Sequence, residues 1–172
     1  MTAQDIPSTA DLADRHRAEA LVYKEVRLLD EGRFEDWLEL FDDECSYWIP
    51  TWNTTPEEAP SIVYDDRQRL GERVFRLVDT PAYSQMPPSR TVHLVSNFEA
   101  EVHADHLEVN CSMVVAEMRL GDRLQVGLGA PRSHAARVRY RLVERDGQLR
   151  IRDKHVYLLE RDQPMYNLTF LL

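Results

Sequence analysis

The pair Asp146-Gly147 lies between two long runs, 134–145 and 148–160, in which apolar and polar residues largely alternate. Asp-Gly readily adopts the two positive-φ positions of a type I′ turn, so these runs are predicted to fold back on each other as a hairpin. In the register set by that turn, Arg145 opposes Gln148. One face then carries Val138 with His155, Tyr140 with Asp153, and Leu142 with Ile151. The other carries Arg139 with Lys154, Arg141 with Arg152, and Val143 with Arg150, and Arg137 extends it. A bulge anywhere in the pair would move every later residue to the opposite face.

The first face is apolar apart from Tyr140, Asp153 and His155. Buried polar groups need partners, since an orphaned one costs roughly 1–3 kcal/mol. Two readings follow: a structural hydrogen-bond network beneath helices, or a pocket in which Asp153 orients His155 as a general base beside Tyr140. The second face opposes like charges, which is locally destabilising. This face is either a solvated surface or a contact: its cations can meet the chain's own acidic run (Asp30, Glu31, Glu35, Asp36, Glu39, Asp42, Asp43, Glu44) or an acidic surface on another subunit, with RNA the least favoured partner.

Upstream, helical spacing replaces alternation. A helix is predicted over 9–31, ended by Gly32, and a second over 34–41, where Phe34, Trp37, Leu38 and Phe41 recur at three and four. Residues 45–50 read as a strand and 50–60 as loop. Residues 64–78 read as a helix stopped by Pro81, Pro87 and Pro88. Strands are expected at 91–103, 106–120 and 124–128 ahead of the hairpin, and 168–172 as an edge strand or cover. Helices first and an antiparallel sheet afterwards define an α+β domain. At 172 residues, 1–172 is expected to be one domain with 1–8 flexible.

Composition narrows the function. A net charge of −9 argues against nucleic acid as a partner. Two cysteines, Cys45 and Cys111, do not make a disulfide framework. Neither a secretory start nor an apolar run of about 20 residues occurs, so no membrane association is expected and the cytoplasm is the default compartment. His93 and His103 sit about 33 Å apart on a continuous strand. His103 and His106 flank a turn but supply only two ligands, and His134 is distant from His155. No metal site is therefore expected. There is no Cys-x-His or Cys-x-x-His pair to hold a Rieske cluster, and no nucleophile elbow, phosphate loop or dinucleotide fingerprint.

Residues 65–97 (DDRQRLGERVFRLVDTPAYSQMPPSRTVHLVSN) resemble the β (small) subunits of bacterial aromatic-ring-hydroxylating dioxygenases, the Rieske non-haem iron oxygenases. The matching residues are Asp65, Asp66, Arg73, Arg76, Leu77, Pro88, Ser89, Arg90, Thr91, His93 and Asn97. Leu28, Leu29, Asp30, Trp37, Leu38, Tyr47 and Pro50, with the ending NLTFLL, extend the likeness over nearly the whole chain from about residue 18. Tyr83 departs from the tryptophan that many members carry, which hints at a divergent substrate branch.

The resemblance implies an NTF2-like cone-shaped barrel, with N-terminal helices inside a strongly curved, mainly antiparallel sheet. It implies a non-catalytic chain without cofactors, assembled with a catalytic α subunit and other β subunits, commonly as α3β3. The α subunit would carry the Rieske 2Fe-2S cluster and mononuclear non-haem iron. Electrons from NAD(P)H would arrive through a reductase or ferredoxin, and the ring product would be a cis-dihydrodiol. The Pro-Ser-Arg-Thr segment is then either an internal brace or an anchor. The candidate subunit interface comprises Arg90, Arg137, Arg139, Arg141, Arg150, Arg152 and Lys154. The rival reading is a free-standing NTF2-like lyase or isomerase using Tyr140, Asp153 and His155.

Overall fold

The structure is a computed structural model that describes residues 9–52, 55, 58, 60–79, 88–119, 131–163, 168 and 170–172. The strand expected at 124–128, Tyr83 and residues 1–8 lie outside the described residues. Helices α1 (Thr9–Asp30) and α2 (Phe34–Leu38) lead into strands β1 (Phe41–Pro50) and β2 (Ser61–Asp65). Helix α3 (Arg67–Val78) follows, then β3 (Arg90–Val102), β4 (Leu107–Met118), β5 (Arg132–Arg145) and β6 (Gln148–Leu158).

The six strands form one sheet in the order β2-β1-β6-β5-β4-β3, in which only β1 and β6 run parallel. The architecture is α+β and mainly antiparallel, as expected, but the barrel is a correction. Among the described residues the sheet is open, with β2 and β3 as its two edges, and α1 packs along β3.

The first helix turns its buried face through Ala18, Val22, Glu25, Val26 and Leu29, a spacing of three and four. A glutamate occupies the middle of that stripe, so the apolar pattern in the sequence reads as incomplete. Gly32, at φ 69°, supplies the left-handed residue that ends this helix. Strand β2 was not anticipated: it begins just after the loop expected over 50–60, and Tyr64 and Asp65 fall in the stretch expected to start the third helix. That helix begins later because the Asp66 carboxylate caps it, accepting from Arg69 N at 2.9 Å. Asp65 pairs with Arg73 at 2.6 Å, which gives both acids of the Asp65-Asp66 motif a structural task. Residues 168 and 170–172 form no strand. Leu171 and Leu172 are buried in the core instead.

Two one-residue bulges decide what each face carries. In β3, Asn97 and Phe98 together oppose Cys111, with Asn97 at φ 51°, a conformation that asparagine tolerates better than most residues. In β6, Leu142 still opposes Ile151, but Arg141 opposes Asp153, so Arg152 is the extra residue. From there the observed partners are Tyr140 with Lys154, Arg139 with His155, and Val138 with Val156.

Candidate functional site

The bulge at Arg152 overturns the face assignment made from the turn alone. Lys154, expected among the interface cations, points inward and is fully buried, together with Tyr140. Its ammonium sits 2.5 Å from Glu25 Oε1 and donates to Leu172 O at 2.5 Å. Tyr140 donates to Glu25 Oε2 at 2.9 Å, and Trp37 Nε1 donates to Glu25 Oε1 at 2.9 Å. The Tyr47 hydroxyl completes the cluster by donating to Leu172 O at 3.1 Å. Burial first, then the Glu25 charge, raises the Tyr140 phenol well above its ordinary pKa, so it stays protonated and serves as a donor. This network under the helices fits the structural reading of Tyr140. It joins α1, α2, β1, β5, β6 and residue 172 at one charged point.

Asp153 and His155 face outward. The Ser46 hydroxyl donates to Asp153 Oδ1 at 2.7 Å and lies 3.4 Å from His155 Nε2. Burial lowers the His155 pKa, against the pull of Asp153. The proposed acid–base trio is therefore split: Tyr140 lies on the opposite side of the sheet from Asp153 and His155. The outward pair borders a cavity of about 500 Å³ with His103, His106, Glu108, Arg139 and Arg141.

The outer cations are largely neutralised from within the chain. Arg139 pairs with Glu108 at 2.5 Å, Arg141 with Asp105 at 3.2 Å, and Arg152 with Glu44 at 2.6 Å. Arg150 donates to the Glu39 carbonyl. Glu39 and Glu44 belong to the acidic run named from sequence, whereas Asp105 and Glu108 come from the β3–β4 hairpin. Arg90 and Arg137 are exposed on the same face. Between them the sheet presents Val92, Leu94 and Val114, which are 55%, 60% and 38% exposed. Leu94 opposes Val114 directly, so these side chains form one apolar patch at the β3 edge.

The Pro-Ser-Arg-Thr segment acts as a brace through its hydroxyls. Ser89 donates to Glu117 Oε1 at 2.7 Å and Thr91 donates to Asp30 Oδ1 at 2.9 Å. Asp30 also accepts from His93 N at 3.0 Å and lies 2.6 Å from His93 Nδ1. One carboxylate at the end of α1 thus ties down two residues of β3. Burial lowers the His93 pKa in spite of Asp30, leaving a neutral ring at pH 7. His134 belongs to this inner side too, 2.7 Å from Glu160, and so lies across the sheet from His155.

Cys45 and Cys111 are buried free thiols, raised by burial to about 11 and about 12, and are unreactive hydrophobes rather than nucleophiles. His93 lies within β3 beside Asp30, whereas His103 follows the end of that strand and closes the turn with His106. The sequence reading missed one grouping: Glu108 joins His103 and His106, with donor atoms of all three within 4.8 Å of one another. The alternation of β4 placed Glu108 outward, but only the hairpin geometry shows that it meets the two histidines.

An open mixed sheet backed on one side by an N-terminal helix is the NTF2-like fold. A solved β subunit of an aromatic-ring-hydroxylating dioxygenase from Novosphingobium aromaticivorans has this fold, with a TM-score of 0.72 at 22% identity over 95% of this chain and 98% of that one. The family model described as "ring hydroxylating beta subunit" matches residues 24–163. The small oxygenase component of the p-cumate 2,3-dioxygenase system of Pseudomonas putida is 37% identical over 97% of this chain and 93% of its own length. The benzoate 1,2-dioxygenase β subunit of Acinetobacter baylyi is 38% identical over 46% of this chain and 52% of its own length. The chain belongs to the ring-hydroxylating dioxygenase β-subunit family and is a component of such an oxygenase.

Proposed function

We propose that this chain is the non-catalytic scaffold subunit of an aromatic-ring-hydroxylating dioxygenase, docking through the outer face of its sheet. In this reading the catalytic α subunit carries the Rieske 2Fe-2S cluster and the mononuclear iron. The assembly is α3β3, works in the cytoplasm and receives electrons from a reductase or ferredoxin. The relatives' names, p-cumate and benzoate, support an aromatic carboxylic acid as the substrate of the whole enzyme.

The observation that carries the docking face is the patch of Val92, Leu94 and Val114, left exposed among the described residues and flanked by Arg90 and Arg137. Apolar centres with an arginine rim are the chemistry of protein interfaces, and obligate ones bury about 2,000–5,000 Å². Arg139, Arg141, Arg150 and Arg152 extend the rim, and their intrachain partners set the register of docking. Lys154, being interior, is withdrawn from the surface.

The test is co-expression with the partner α chain. Leu94→Asp or Arg137→Glu should shift the complex on size exclusion to separate subunits, while each variant alone melts like the parent. Undiminished assembly of both variants refutes the docking face. Stoichiometric visible Rieske bands in the purified β chain alone refute the scaffold role.

A further inference from the structure

We propose that His103, His106 and Glu108 bind a divalent transition-metal ion of the zinc type, at the tip of the β3–β4 hairpin on the outer face. This inference stands on the local geometry and is independent of the subunit reading.

The hairpin holds the donors together. His103 N donates to His106 O at 2.9 Å, closing the turn, and the two imidazoles stack with centroids 4.5 Å apart at 15°. Glu108 follows two residues later on β4. Donor atoms of the three lie within 4.8 Å of one another. Tetrahedral coordination at about 2.0–2.2 Å needs donors about 3.3 Å apart, so side-chain rotation must close the group by roughly 1.5 Å. All three residues are half-buried, which limits how far they must be drawn from solvent.

The surroundings favour ligation by His106 in particular. Its Nδ1 lies 2.7 Å from Asp105 Oδ1, which leaves Nε2 as the free donor. A carboxylate on the far nitrogen fixes the tautomer and raises the basicity of a ligating imidazole. Asp105 is itself held by Arg141 at 3.2 Å. Two imidazoles and one carboxylate select zinc-like ions over magnesium or calcium, which prefer all-oxygen shells. A fourth position opens onto the cavity that Asp153 and His155 border, where water or an anionic group fits.

One interaction opposes the ion. Glu108 Oε2 pairs with Arg139 at 2.5 Å, and its other oxygen accepts from Asn110 at 3.2 Å. The metal must therefore compete with a guanidinium, and that competition gives the proposal a distinctive signature.

The experiment is calorimetric titration of the full chain with Zn2+, alongside Co2+ absorbance to report coordination. The expected result is one ion per chain. His106→Ala and His103→Ala should each weaken binding by at least about tenfold with the melting curve unchanged. Arg139→Gln should tighten Zn2+ binding by up to about fivefold, because an exposed ion pair is relieved. Equal Zn2+ affinity in the His103→Ala/His106→Ala double variant would overturn the site. Absence of tightening in Arg139→Gln, with Glu108→Gln also without effect, would overturn Glu108 as the third ligand.

Discussion

Replacing Lys154 with methionine tests the interior network most directly. The side chain keeps nearly its volume, so packing changes little, but Glu25 loses its only cationic partner in the cluster, a residue as fully buried as itself. Breaking one member of a buried pair typically costs about 3–5 kcal/mol, because the remaining charge has no compensation. In a domain of this size each kcal/mol lowers Tm by about 2–4 °C, so Lys154→Met should melt roughly 6–20 °C below the parent.

Glu25→Gln should cost somewhat less, since the ammonium loses its counter-charge but keeps its bond to Leu172 O. In Glu25→Gln/Lys154→Met both charges of this pair are gone, and the amide oxygen can still accept from Trp37. The double variant should therefore recover stability relative to the sum of the singles, with a coupling of at least about 2 kcal/mol. The assay is urea denaturation of all four proteins by circular dichroism. Additivity within about 0.5 kcal/mol would refute the reasoning, because it would mean that Glu25 and Lys154 act independently.

Deleting Arg152 removes the extra residue and leaves Ile151, Asp153 and Lys154 opposite Leu142, Arg141 and Tyr140 in unbroken alternation, so Lys154, Val156 and Leu158 stay inward and a cooperative urea transition is expected to persist, with only the Arg152–Glu44 pair lost. In Asp30→Asn the brace to His93 weakens, and a loss of about 1.5–3 kcal/mol is expected from denaturation curves, as for a hydrogen bond to a charged group. The lowered pKa of His93 makes stability depend on pH. The unfolded chain takes up a proton near pH 6.5, and the folded ring only at lower pH. The contribution is therefore complete above about 6.5 and falls away as pH drops through the folded value. Urea midpoints should decline from pH 7.5 to 5.5, and the double variant His93→Asn/His155→Asn should flatten that slope, since both rings are shifted the same way. A slope unchanged by the double variant would locate the dependence elsewhere. Iodoacetamide should leave Cys111 unmodified in the native protein and label it only after unfolding, as followed by mass spectrometry.

The order of elements apart from β2, the Asp146-Gly147 turn and the C-terminal ends of α1 and α3 were legible in the sequence because they are set within a few residues: a positive-φ pair, a glycine after a helix, prolines that stop one. The family was legible as well, since its motifs are runs of adjacent residues. The brace reading of Ser89 and Thr91 was open in the sequence and needed Asp30 and Glu117, which lie 61 and 28 residues away, to become visible.

Which face a side chain occupies was decided elsewhere. A strand alternates with period two, so a single extra residue at Arg152 exchanged Asp153 and His155 for Lys154, and no local pattern announces that residue. The bulge places an ammonium where the buried Glu25 carboxylate requires one, a requirement set by α1 at a distance of 129 residues. The alternation was written in the chain, but only the packing of helix on sheet fixed its phase.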